Sequence, residues 1–190
     1  MSSDYLFGSE KDTRHKVFIS YYHKDDEKYK YREKFEELFG HIFINKSVEE
    51  GDIAPDNSDG YIKRLIQQNY ITDTSVLVVL ISPKAYCRKH VDWEISAAVS
   101  KKVGGYSGLL GILLPEFQLT ADGKYRYDDI PPRLADNVKT GYAKVRAWDW
   151  VCANESRIKS EVEEAFQARI DKADKIDNYS REQFRDNRCE

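Results

Sequence analysis

At 190 residues and a net charge of −3, the chain is long enough for one domain with a substantial core. Its balanced charge, with no Lys/Arg stripe among aromatics, excludes a nucleic-acid footprint. No apolar run reaches membrane-spanning length, and the first residues, MSSDYLFGSEKD, lack the layout of a secretory signal, so a cytoplasmic protein with neither nucleic-acid nor membrane partners is expected. Cys87, Cys152 and Cys189 are odd in number and share no paired spacing, which predicts free thiols and no zinc site.

Residues 1–15 are polar and unpatterned and are expected to form a mobile arm. Val17–Tyr21 reads as a short first strand. Asp25 or Asp26 is placed to cap a helix whose core face is Tyr31, Phe35, Leu38 and Phe39, closed by Gly40. His41–Ser47 reads as a second strand. The acidic segment Val48–Gly60, punctuated by Gly, Pro and Asn, predicts an exposed loop. Asp59 then caps a helix presenting Ile62, Leu65, Ile66 and Tyr70.

The chain is organised around Ser75–Val99. Val76–Ser82 is a continuous apolar, β-branched run closed by Pro83, as suits a strand covered on both faces. From His90 the period becomes helical, with Val91, Ile95, Ala98 and Val99 facing the sheet and Glu94 in the first turn, on the flank of that stripe. Leu109–Leu114 is a fourth strand. The connection from Pro115 to Tyr142 is longer than most loops, so it is either a flap or an ordered insertion. Its Tyr125, Tyr127, Ile130 and Leu134 favour order. Lys144–Trp148 is a fifth strand, and Asn154 caps a last helix with Ile158, Val162, Ala165 and Phe166 inward. Beyond Asp171 the chain is charged and poor in apolar residues, which predicts a frayed helix or tail. The domain therefore runs over 16–170, with a charged tail at 171–190. Five alternations of strand and helix predict an α/β fold: a flavodoxin-like, doubly wound, five-stranded parallel sheet with a long insertion before the last strand.

Open α/β sheets place ligands at the carboxyl ends of their strands. That edge gathers Ser20, Tyr21, Tyr22 and His23 from the first strand, Asn45 and Ser47 from the second, and Ser82 from the third. His90 and Glu94 approach from the following helix. Aromatic faces, hydroxyls and one acid suit a nucleotide or nucleoside better than a metal, which needs several converging ligands. Glu94 alternatively serves only to favour the positive end of its helix. No P-loop, dinucleotide fingerprint or serine-hydrolase elbow is present. The third strand ends in Ile81-Ser82-Pro83, without the aspartate a response-regulator receiver needs. Trp93 points away from the apolar stripe, and is covered by the insertion, by another subunit, or by a ligand.

The stretches KVFISYYHKDD and TDTSVLVVLISPKAYCRKHVDWEI resemble the TIR fold, and more closely its bacterial branch found in Thoeris antiphage defence. IPPRLADN in the insertion is similar to that branch as well. The likeness spans residues 16 to about 150, leaving out the arm and the tail. It implies a TIR-like fold and an enzyme that cleaves NAD at the nicotinamide–ribose bond, with NAD as substrate, no cofactor and no metal. Glu94 matches the essential glutamate of enzymatic members. The tryptophan usual one turn earlier is His90 here, while Trp93 directly precedes the glutamate. Which of the two stacks on substrate stays open. Ser20, Tyr21, Tyr22, Asn45, Ser47 and Ser82 are the remaining substrate-binding candidates. The resemblance further implies a cyclic or conjugated ADP-ribose signal acting on a partner effector, and self-association. Two rival readings are a non-catalytic interaction module and a nucleoside deoxyribosyltransferase-like enzyme.

Overall fold

A computed structural model describes residues 14–47, 58–66 and 71–189, the side chains of 62–64 excepted. Five strands form one parallel sheet in the order β2-β1-β3-β4-β5. They are β1 Lys16–Ser20, β2 Ile44–Asn45, β3 Val76–Ile81, β4 Gly108–Leu113 and β5 Lys144–Ala147. Between and after them run α1 His23–Tyr29, α2 Tyr31–Phe39, α3 Asp59–Leu65, α4 Lys89–Ala98, α5 Pro132–Lys139, α6 Trp148–Cys152 and α7 Glu155–Asp171. This is the expected flavodoxin-like order, with right-handed crossovers the rule for such parallel units.

The apolar run of β3 is continuous because it serves two cores. Successive side chains of a strand point to opposite faces. Val76, Val78 and Leu80 pack with Val17, Ile19, Phe35, Phe39, Ile158 and Val162 beneath α2 and α7. Leu77, Val79 and Ile81 pack with Phe18, Val91, Ile95 and Leu134 on the face of α4 and α5. At Gly108 a Cβ would stand 1.9 Å from the Ala165 carbonyl oxygen, so α7 lies against β4 only because that position has no side chain.

Several local expectations change. The single first helix is two, broken at Lys30, whose φ is 57°. Asp26 supports the second start from outside it: its Oδ1 accepts from Arg32 N–H, in the first turn of α2, at 2.8 Å, while the N-cap position itself is Lys30. Leu38 turns outward, with Tyr31, Phe35 and Phe39 carrying the core face. The second strand shrinks to two residues at the sheet edge, where the side chains of Asn45 and Ser47 take over backbone bonding. The insertion is ordered, holding a 3-10 turn at Tyr127–Asp129 and α5. Asn154 caps α7 through its side chain, accepting from Ser156 N–H. The arm over 1–13, Tyr70 and the acidic loop over 48–57 lie outside the described residues.

The largest departure is at the carboxyl terminus. Residues 172–189 form no frayed tail; they return across α4 and α5 and bury Phe184 against them. The reason is polar complementarity that composition hides. Asn137, fully buried, donates to the Asp177 carbonyl at 2.8 Å, and Arg133 donates to the carbonyl and side chain of Asn178 at 2.7 and 2.9 Å. Cys189 ends this strap joined to Cys87 in a disulfide, with Cα atoms 5.6 Å apart. Two of the three expected free thiols are thus paired, and Cys152 alone is free. Among the described residues no helix is long and apolar enough to cross a membrane.

Candidate active site

Two carboxylates stand two residues apart on α4, and the fold treats them oppositely. Asp92 is 2% exposed and fully engaged. Its Oδ1 accepts from Arg133 Nε at 2.9 Å and its Oδ2 from Phe184 N–H at 2.8 Å. Glu94 is in the second turn of α4, not the first, because the helix begins at Lys89. The residue keeps part of its surface open, yet its Oε2 is closed to solvent and has no hydrogen-bond partner. A buried polar atom left without a partner costs stability, so the arrangement is informative.

Burial pushes the Glu94 carboxyl from the ordinary 4.5 up to about 8, with the nearby Ser20 hydroxyl opposing the rise. Ser20, at the end of β1, and Ser82, just past β3, are both buried, and neither Oγ finds a partner. Ser20 stands near enough to Glu94 to oppose the rise in its pKa, although no hydrogen bond of ordinary length joins the two. Tyr21 borders this group. Its phenol is pushed up to about 12, first by burial, with Arg32 opposing and Asp26 and Glu94 adding to the rise.

Positive groups ring the same edge. Arg32 lies over the Tyr21 ring at 5.7 Å and donates to Glu36 at 2.9 Å. The Arg88 guanidinium lies 3.9 Å from the Tyr22 ring centroid. Lys89 bonds Asp59 at 2.5 Å. His90 is exposed, and its pKa is held below the ordinary value by desolvation and then by Lys89, with Asp59 opposing and His23 adding to the drop.

The remaining candidates fall elsewhere. Asn45 is exposed and donates to Glu36 at 2.8 Å, while Ser47 Oγ accepts from Ile19 N–H at 2.8 Å. Both complete the backbone and helix contacts of the short edge strand. Trp93 is 3% exposed, and its indole donates to the Phe184 carbonyl at 2.7 Å. What covers Trp93 is the carboxyl-terminal strap, a cover that none of the three expectations names. His90 stays near it, with ring centroids 5.1 Å apart. Sequence reasoning passes over Arg32, Arg88, Asp92 and Arg133. Only the Arg32–Glu36 pair, at helical i,i+4 spacing, carries a local signal.

A family model for the TIR-like domain of the Thoeris protein ThsB matches residues 18–118, just over half of the chain. The chain belongs to this Thoeris TIR-like family. It is a TIR-domain defence protein, and the matched segment holds Ser20, Tyr21, Ser82 and Glu94 while stopping well short of the strap. Among solved structures, the chain is similar to the TIR domains in the structure of the activated Roq1 resistosome directly recognizing the pathogen effector XopQ. Identity is 12%, coverage is 84% of each chain and the TM-score is 0.38, too low an overlap to inform the reading of individual residues. No curated protein matches the chain.

Proposed function

We propose that this Thoeris TIR-like protein cleaves NAD at the nicotinamide–ribose bond. The observation that carries the reading is Glu94: a closed carboxyl oxygen without a hydrogen-bond partner, near the Ser20 hydroxyl at the carboxyl end of β1. Loss of nicotinamide breaks the bond between the ribose anomeric carbon and the ring nitrogen. The electron pair leaves with nicotinamide, neutralising its pyridinium, and the ribose develops oxocarbenium character. The leaving group needs no proton, so one acid suffices.

At rest the buried carboxyl holds its proton near neutral pH. A cationic ligand in contact favours the charged form and draws that proton off to solvent. The carboxylate then faces the developing positive charge in a site of low dielectric, where such an interaction is strong. Ser20 and Ser82 supply hydroxyls for ribose, Arg32 and Arg88 supply charge for the pyrophosphate, and Tyr21, Tyr22 and His90 supply ring faces. Capture of the ribosyl cation by a nucleophile other than water gives a cyclic or conjugated ADP-ribose signal for an effector protein. Self-association and a cytoplasmic location, where NAD is available, belong to the same reading. The Cys87–Cys189 pair runs against a reducing compartment, and its redox state in cells tests that part.

Incubation with NAD, with and without infected-cell lysate, followed by mass identification of products, tests the proposal. Glu94→Gln is expected to reduce nicotinamide release by ~100-fold or more with an unchanged near-UV spectrum. Equal turnover by that variant overturns the role of Glu94. Absence of product under every condition, together with partner binding, favours the interaction-module reading. Turnover of nucleosides in preference to NAD favours a deoxyribosyltransferase.

A further inference from the structure

We infer that the carboxyl-terminal strap, residues 177–189, is a positioning element that sets the rotation of α4 and thereby the direction of Glu94. The inference rests on Glu94 being the reacting carboxyl, and the strap lies outside the residues matched by the family model. Residues two apart on a helix point roughly 200° apart, so a grip on Asp92 leaves Glu94 facing the opposite way, toward the strand ends.

The strap grips α4 at its start, middle and end. At the start, Asn187 Oδ1 accepts from Lys89 N–H at 3.1 Å, and Arg188 N–H donates to the Cys87 carbonyl at 2.9 Å. In the middle, Phe184 uses both backbone groups, its N–H on Asp92 Oδ2 and its carbonyl under the Trp93 indole. Toward the end, Gln183 donates to Ser96 Oγ at 2.7 Å and Asn178 to Ser100 Oγ at 2.9 Å. Arg133, 1% exposed, joins this assembly to α5 by bonding Asp92 and Asn178 together.

Glu94 Oε2 has no protein partner to fix it, so its aim follows the helix. A carboxyl about 5–6 Å from the axis moves ~1 Å when the helix rolls ~10°, and a displacement of that size near reacting atoms costs on the order of 100-fold in rate. The groups facing Glu94 are the Ser20 hydroxyl and the Tyr21 phenol, both on or beside β1. Neither moves with the strap.

The full chain is compared with Phe184→Ala, with Phe184→Leu as the conservative rescue, and with Asn187→Ala, whose side chain is exposed and whose loss leaves the core intact. The first readout is a ¹³C titration of glutamate carboxyls, with the Glu94 signal assigned by its absence in Glu94→Gln. We expect that carboxyl to titrate near 8 in the full chain and at least ~1 pH unit lower in Phe184→Ala, as water reaches a misplaced side chain. Phe184→Leu should restore it. The second readout is nicotinamide release, with kcat lower by ~10–100-fold in Phe184→Ala and by ~3-fold or more in Asn187→Ala, and KM within ~3-fold for both. An unchanged Glu94 titration in both alanine variants overturns the inference, as does a change confined to thermal stability. If the unmodified chain releases no nicotinamide, the proposed function fails, while the titration still decides the positioning role.

Discussion

Glu94→Gln is also a test of burial, independent of turnover. Glutamine has the shape of the protonated acid, so below about pH 4 the two proteins should have nearly the same stability. The folded carboxyl titrates at about 8 against an ordinary 4.5. Between those values the folded state holds a proton that the unfolded chain has released. Stability therefore falls as pH rises from 4.5 and levels off above 8. At ~1.4 kcal/mol per pH unit the full difference is ~5 kcal/mol, and the charged side chain destabilises the fold by an amount of that order above pH 8.

Urea unfolding of both proteins at pH 4.0 and 8.5 isolates this one group, since every other titration is common to the pair. The variant should be ~4–5 kcal/mol more stable than the unmodified chain at pH 8.5 and within ~0.5 kcal/mol of it at pH 4.0, at equal denaturant slopes. The same pH dependence in both proteins would refute a buried, proton-holding Glu94. The corresponding prediction for turnover is that kcat/KM rises through pH ~8 as free enzyme loses this proton.

Gly108→Ala places a Cβ 1.9 Å from a backbone oxygen of α7, and should cost about 3 kcal/mol or more by thermal or urea unfolding. Lys30→Gly removes the left-handed strain at the α1–α2 junction and should change stability by between 0 and about +1 kcal/mol. In the absence of reductant, iodoacetamide followed by peptide mass analysis should label Cys152 and spare Cys87 and Cys189, with all three labelled after reduction and unfolding.

The sheet is legible in the sequence because its signals are local. Val76–Ile81 is apolar at every position, as a strand between two cores must be, and the Asn154 cap and the spacing of Ile158, Val162 and Ala165 define α7 without distant contacts. The same holds for the approach of Ser20 to Glu94, which follows once the strands are parallel and the helix after β3 is recognised. The strap has no such signal. It is held by pairs about 90 residues apart, Asp92 with Phe184 and Trp93 with Phe184, and by Cys87 with Cys189. Phe184 alone among charged neighbours and the cysteine at 189 are the traces it leaves in the sequence. They explain Trp93: α4 buries one face on the sheet and another beneath the strap, so an aromatic outside the sheet-facing stripe is still core.

Asp92 and Glu94 show where local reasoning stops. Both are acids on α4, Asp92 in its first turn and Glu94 in its second, and the favourable dipole of the first turn does not say which acid is open to a ligand. Partners do. Arg133 and the Phe184 amide satisfy Asp92 and bind it into the architecture, which makes its charge part of the fold. Glu94 receives no such donor on Oε2, and the desolvation it suffers is relieved only by keeping a proton or by acquiring a positive ligand. One acid is tied to an arginine and a backbone amide while its neighbour, two residues on, keeps an oxygen without a partner, and it is on the proposed reading that this second oxygen meets a ligand.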